Sequence, residues 1–253
     1  MVATGRVTLI TGGGKGIGAA IAVRLAAEGA RLALTGRDAE ALHQVADATH
    51  ALAIVADVTD ASAMDRAITE IEEKLGPIDV LVANAGIASP LPLHATDDAT
   101  WDRTFAVNVT SPFRLARALL PKMAKRGWGR VVNIASNAGL SGYAFTSAYC
   151  ASKHALVGLT RSLAIEFARS GVTVNAVCPG FVDTEMATRA AENIVAKTKR
   201  DLDEARKALE ALSPQRRLMT SEEVAHVVAM LMSDAARGIN GQAIAIDGGQ
   251  TMR

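Results

Sequence analysis

The sequence predicts an α/β domain built on a doubly wound parallel sheet of about seven strands, with helices on both faces. Three observations predict it. Short apolar, β-branched runs alternate with stretches of helical period along the whole chain. The first run, Val7–Thr11, passes straight into a glycine turn and then a helix, a layout that offers backbone N–H groups and a positive helix end to a phosphate. Across 253 residues no repeat, low-complexity tract or linker marks a second unit, so one domain, 1–253, accounts for the chain.

The elements follow in order. After Val7–Thr11, residues 19–28 read as a helix, with Ile21, Ala22, Leu25 and Ala26 on its apolar face. Residues 31–35 form a second strand, and Asp38 caps a helix running to about Ala48. Residues 52–56 form a third strand, and Ala61–Leu75 a helix closed by Gly76-Pro77. Val80–Ala83 is a fourth strand. A helical region covers 98–125, and Pro112 is expected to kink it. Residues 130–135 form a fifth strand, and the next helix carries Tyr149 and runs to about Ser170. Residues 172–177 form a sixth strand, stopped by Pro179-Gly180. The stretch 184–212 is helical and charged, and it stands outside the alternating pattern. Ser221–Met232 is a helix capped by Ser221, and Ala243–Ile246 closes the series. Strands separated by helices imply parallel pairing through right-handed crossovers. The ligand of such a sheet lies beyond the carboxyl ends of its strands. The glycine turn, Asn84-Ala85-Gly86, Ser136 and Pro179-Gly180 all follow expected strand ends, so one rim gathers them.

Composition removes several function classes. The 27 Lys and Arg against 26 Asp and Glu leave a net charge of +1, which gives no electrostatic case for nucleic acid or an anionic membrane. No apolar run reaches the length of a membrane span, and the N-terminal stretch lacks the apolar core of a signal peptide. Cys150 and Cys178, the only cysteines, make neither a disulfide framework nor a metal motif and read as small packing residues. The chain is expected to be cytoplasmic and to hold no metal.

Two motifs carry chemistry. Tyr149 and Lys153 stand four apart, a spacing that places both on one helix face. A free tyrosine titrates near 10, and a fixed ammonium beside it favours the phenolate and lowers that value. The pair therefore suits proton transfer to or from an alcohol or carbonyl oxygen. Gly12, Gly16 and Gly18 make a G-x-x-x-G-x-G turn, while Gly14, Gly16 and Ala19 also fit G-x-G-x-x-A, so spacing alone leaves the register open. A nucleotide triphosphate loop is excluded, because Lys15 is followed by Gly16 rather than Ser or Thr.

Taken together, Thr11-Gly-x-x-x-Gly-Ile-Gly18, Asp57-Val58, Asn84-Ala-Gly86, Asn108, Ser136, Tyr149-x-x-x-Lys153 and Pro179-Gly-x-x-x-Thr184 resemble the short-chain dehydrogenase/reductase family over essentially the whole chain. One departure is visible: Ala83 stands where the family often has a second asparagine before Asn84, a position expected to serve sheet packing. The resemblance implies a Rossmann-like fold with four catalytic residues, Asn108, Ser136, Tyr149 and Lys153. Tyr149 would be the general acid/base. Lys153 would lower its pKa and hold the nicotinamide ribose, Ser136 would bond the substrate oxygen, and Asn108 would hold a water in a proton relay. The resemblance also implies that the cofactor contacts Gly12, Lys15, Gly16, Ile17, Gly18, Arg37, Asp57, Val58, Asn84, Ala85, Gly86, Tyr149, Lys153, Pro179, Gly180, Val182 and Thr184. Asp57 would accept from the adenine amino group.

Charge argues for which dinucleotide. An acidic residue at the end of the second strand binds the 2′-hydroxyl of NAD. Here that strand ends Thr35-Gly36-Arg37, with Lys15 in the glycine turn beside it, and two cations suit the 2′-phosphate of NADP(H). Asp38 is the alternative: it would serve NAD(H) if the strand ran two residues further. Within the family, 133–136, 152–158 and 174–184 are most similar to polyketide ketoreductases and 3-oxoacyl thioester reductases. The resemblance thus implies a thioester carried on coenzyme A or an acyl carrier protein, a substrate lid at about 184–218, and a homotetramer packed through the helices near Trp101 and Tyr149. Simple ketones, sugars and cyclic alcohols are alternative substrates. A dinucleotide-binding sensor without turnover is the alternative of another class.

Overall fold

The structure, a computed structural model, describes residues 4–252, so residues 1–3 of the N-terminal stretch and Arg253 lie outside it. Among the described residues seven strands form one sheet: β1 (Val7–Thr11), β2 (Arg31–Gly36), β3 (Leu52–Val55), β4 (Val80–Ala83), β5 (Gly129–Ile134), β6 (Val172–Pro179) and β7 (Ala243–Ile246). They lie in the order β3-β2-β1-β4-β5-β6-β7, every pair parallel. β1, β4, β5 and β6 are buried along their whole length, as sheets covered on both faces require.

Each face has its own core. On one, Ile21 and Leu25 of α1 (Gly16–Ala27), Leu42 and Ala46 of α2 (Ala39–Thr49) and Val224 and Val228 of the C-terminal helix Ser221–Met232 pack over Ile10, Leu34 and Val82. On the other, Met64, Ile68 and Ile71 of α3 (Ala61–Leu75) meet Leu115, Leu119 and Leu120 over Leu9, Leu81 and Val131. The chain reverses its winding between β1 and β4, and the crevice at this switch point opens beyond the carboxyl ends of the strands.

Several elements differ from the sequence reading. The helical region 98–125 is two helices, α4 (Asp98–Phe105) and α5 (Ser111–Arg126), joined by one π-turn over Ala106–Thr110. Pro112 follows this π-turn. It sits in the first turn of α5, where its missing N–H costs nothing, and the Ser111 N–H reaches back five residues to the Ala106 carbonyl. α6 (Ser147–Glu166) starts before Tyr149 and ends short of Ser170. β6 includes Pro179 as its last residue instead of stopping ahead of it. The stretch 184–212 divides into α7 (Glu185–Lys197) and α8 (Leu202–Glu210). α9 (Ser221–Met232) is capped by Thr220 rather than Ser221, because Thr220 and Glu223 close a reciprocal capping box. Ala83 is buried and pairs with Asn133 of β5, so the departure before Asn84 falls inside the sheet.

The first turn of α1 leaves no room for a side chain at Gly18. A Cβ there would lie 2.1 Å from the Gly12 carbonyl oxygen and 2.6 Å from Asn84 Nδ2. Gly18→Ala is therefore expected to cost at least about 1–3 kcal/mol, as overpacking does. A thermal melt checks it, and an unchanged Tm would contradict the packing described.

Candidate active site

The glycine turn is stitched to the end of β4. Thr11 Oγ1 accepts from the N–H groups of Asn84 and Ala85, each at 3.0 Å, and Asn84 Nδ2 donates to the carbonyls of Thr11 at 2.9 Å and Gly12 at 3.1 Å. Gly12 holds φ +65°, a conformation other residues adopt only with strain. This leaves the start of α1 unusually open. Lys15 at its N-cap makes no side-chain cap bond, and no acidic residue stands in the first turn. The free N–H groups and the helix dipole together favour an anion at Gly16, Ile17 and Gly18. The methyl of Thr184, at the start of α7, would lie 3.2 Å from a Cβ at Gly16, so the Pro179-to-Thr184 segment borders the same turn. Val182 makes a parallel bridge to Met219 beneath it. A dinucleotide pyrophosphate fits this cradle.

The catalytic candidates converge around the N-terminal turns of α6. Lys153 is buried, and its Nζ donates to the Ile134 carbonyl at the end of β5, 2.8 Å away. Burial drives its pKa down to about 8. A Cβ placed on Gly86 would stand 3.4 Å from Lys153 Nζ and 3.5 Å from Asn108 Oδ1, so three expected residues face one point. Tyr149 is partly buried, with the Lys153 ammonium 5.7 Å from its ring centre. Burial pushes its phenol above the usual tyrosine value, and the Ser136 hydroxyl beside it partly offsets the rise. Burial is thus the leading effect on Tyr149 in the free protein, and the Lys153 ammonium, 5.7 Å from the ring centre, does not offset it. Ser136 is buried at the start of a short 3₁₀ turn, where its Oγ accepts from the Ala138 N–H at 3.1 Å.

Asn108 lies on the π-turn with every amide hydrogen engaged. Its Nδ2 donates to the Ile87 carbonyl at 2.9 Å and to Ser152 Oγ at 3.0 Å, and its Oδ1 accepts from the Ile87 N–H at 2.9 Å. A water held at Asn108 therefore needs a main-chain carbonyl or the second lone pair of Oδ1. Ser152, which the sequence reading left without a role, in turn donates to the Tyr149 carbonyl at 2.7 Å. It links the π-turn to α6, and only the fold reveals this, since 44 residues separate it from Asn108.

The expected ribose pocket is a charged cluster. β2 ends at Gly36, and Asp38 caps α2 by accepting from the Ala41 N–H at 3.1 Å while pairing with Lys15 at 2.8 Å. Lys15 is therefore not a free cation. Arg37 Nη1 stands 3.7 Å from Asp57 Oδ2 and is 63% exposed along its side chain, the loosest of these contacts. Asp57 Oδ1 is occupied by the Thr59 N–H at 2.9 Å and hydroxyl at 2.7 Å, and its Oδ2 by Arg103 at 3.1 Å. Val58 beside it is buried under α3.

Comparison with known proteins places this arrangement. The short chain dehydrogenase family model matches residues 6–195. The chain belongs to the short chain dehydrogenase family. As a family member it is an oxidoreductase, and the family binds a nicotinamide dinucleotide. It is 38% identical over 259 residues to levodione reductase of Leifsonia aquatica, covering 98% of this chain and 95% of that protein. It is 38% identical over 247 residues to the 3-oxoacyl-[acyl-carrier-protein] reductase MabA of Mycobacterium avium, covering 98% of this chain and 90% of that one. A variant of actinorhodin polyketide ketoreductase, solved with NADPH, superposes with a TM-score of 0.95 at 36% identity, covering 99% of this chain and 100% of that chain.

The Lys153 shift has a measurable sign. Its folded pKa of about 8 lies below the ordinary 10.5, so the folded protein carries the full cost of burying the ammonium below pH 8. That cost fades as pH rises from about 8 toward 10.5, where the unfolded chain still holds the proton. Wild type is therefore expected to gain stability relative to Lys153→Met across this interval. Urea unfolding at a series of pH values reads the difference, and a constant difference would contradict the burial argument.

Proposed function

We propose that the protein is an NADP(H)-dependent reductase of 3-oxoacyl thioesters, running in reverse as a 3-hydroxyacyl dehydrogenase. The observation that carries the chemistry is the convergence of Tyr149, Ser136, Lys153 and Asn108 on one rim beside an uncapped helix end. The cofactor, when bound, supplies a hydride to the carbonyl carbon. Tyr149 gives its proton to the carbonyl oxygen, on which negative charge builds, and Ser136 donates a hydrogen bond to the same oxygen. Lys153 would hold the ribose hydroxyls of the cofactor, and Asn108 would anchor the relay that returns a proton to Tyr149.

The NADP(H) reading rests on Arg37. Its guanidinium follows the end of β2, while Asp38, the residue that would favour NAD(H), is committed to its cap and to Lys15. The thioester reading rests on similarity to MabA and to the polyketide ketoreductase. Similarity to levodione reductase favours a second reading, a free ketone as substrate. α7 and α8 share a small core of their own, built from Ala187, Ala191, Ala205 and Leu209, which suits a lid over the substrate. Trp101 on α4 and Phe113 on α5 expose large apolar rings and suit packing between copies in a homotetramer. Leu156 of α6 is buried in the subunit core, and Leu159, Leu163 and Phe167 pack against it or the neighbouring core, so that face serves the subunit itself. The net charge of +1, and the lack of any helix among the described residues long and apolar enough to cross a membrane, support a cytoplasmic enzyme with no nucleic-acid partner.

NADPH oxidation with acetoacetyl-CoA is expected to exceed NADH oxidation, and Tyr149→Phe to lower kcat by roughly 10²–10⁴-fold, the usual worth of an acid–base group. Faster turnover with NADH overturns the cofactor assignment. Turnover of cyclic ketones with none of acetoacetyl-CoA overturns the thioester assignment.

A further inference from the structure

Arg37 faces a competitor. Asp57 Oδ2, the one carboxylate oxygen not held by Thr59, lies within reach of two guanidinium groups, Arg37 at 3.7 Å and Arg103 at 3.1 Å. A carboxylate at this point would draw Arg37 onto itself and oppose an incoming phosphate through like charge. Arg103 reaches it from a different element. It stands in the last turn of α4, and its second Nη donates to Thr59 Oγ1 at 3.3 Å. The fork thus grips the Asp57–Thr59 turn at two atoms, a geometry that lysine does not reproduce. Burial pushes the Asp57 carboxyl up, but Thr59 and Arg103 together outweigh it and hold it at about 2, so it is ionised wherever the enzyme works. Arg37, longer in contact and more exposed, is left as the movable member of the pair.

We propose that Arg103 is a positioning residue for NADP(H): by neutralising Asp57 it releases Arg37 to meet the 2′-phosphate, and so sets the discrimination between NADP(H) and NAD(H) without touching the cofactor. This rests on the reading of Arg37 as the phosphate-binding residue. The role costs NAD(H) nothing, because a 2′-hydroxyl needs no free guanidinium.

The test is equilibrium binding of NADPH and of NADH, followed by nicotinamide fluorescence without substrate, for wild type, Arg103→Met, Arg37→Met and the double variant. Arg103→Met is expected to weaken NADPH roughly three- to fivefold, the size an exposed ion pair supports, and to leave NADH within about twofold. In the Arg37→Met background the same substitution is expected to change NADPH binding little, since the effect runs through Arg37. Arg103→Lys is expected to recover part of the loss. Equal weakening of both cofactors, no effect on either, or a loss that persists undiminished without Arg37 overturns the proposal. If Arg37→Met itself fails to separate NADPH from NADH, the phosphate assignment of Arg37 falls, and this inference falls with it. If Arg37→Met separates them and Arg103→Met does not, the inference falls alone.

Discussion

The bond from Lys153 Nζ to the Ile134 carbonyl, 2.8 Å long and buried, fixes where α6 sits against the end of β5. An ammonium removed from water needs partners, and a strand end supplies a carbonyl without a further sheet neighbour. Once that contact is made, the helix repeat places Tyr149 one turn earlier, beside the Ser136 hydroxyl that follows the same strand. Ser152, between them in sequence, turns to the other side and holds the π-turn through Asn108. The candidate catalytic rim is therefore one connected object: β5, α6 and the π-turn hold each other through buried polar bonds. Desolvation then acts in opposite senses on its two titrating groups, raising the Tyr149 phenol and lowering the Lys153 ammonium. Both shifts disfavour charge in the free protein. A cationic nicotinamide brought to this rim would reverse the balance for the phenol.

The cofactor side is built by exclusion. The stitch from Asn84 and Ala85 to Thr11 draws β4 against the glycine turn, and Gly12 and Gly18 allow the approach because neither carries a side chain. The two carboxylates after β2 and β3 are already occupied: Asp38 by the α2 cap and Lys15, Asp57 by Thr59 and Arg103. What is held most loosely is positive, at the open end of α1 and at Arg37, whose contact with Asp57 is 3.7 Å long, and it is this balance rather than any single residue that suits a phosphate-bearing ligand.

Much of this was legible in the sequence because it is written in local patterns. Alternation of β-branched runs with helical period located all seven strands within two residues, and the motif spacings placed Gly12, Asn84, Ser136, Tyr149 and Lys153 on one rim. What escaped depends on contacts between distant residues. Pro112 was assigned a kink because proline is the known local cause, whereas the irregularity the structure shows just before it is a π-turn whose Asn108 bonds Ile87. The spacing of Tyr149 and Lys153 says only that the two share a face, and not that burial raises the phenol or that a carbonyl of another strand anchors the ammonium. Lys15 looked free because nothing in its own segment shows that Asp38, 23 positions later, turns back onto it. Arg103 carries no motif at all, and only the packing of α4 beside the Asp57–Thr59 turn gives it a role.

Tyr149 and Tyr143 are the only tyrosines, so Tyr143→Phe leaves one phenol whose ionisation can be followed by ultraviolet absorbance. In that variant the account predicts that Tyr149 titrates above 10 in the free protein, held up by burial, and at a lower pH once NADP⁺ is bound. A phenol that titrates at or below 10 without cofactor, or that NADP⁺ leaves unmoved, would contradict the assignment of Tyr149 as a desolvated acid–base group beside the nicotinamide site.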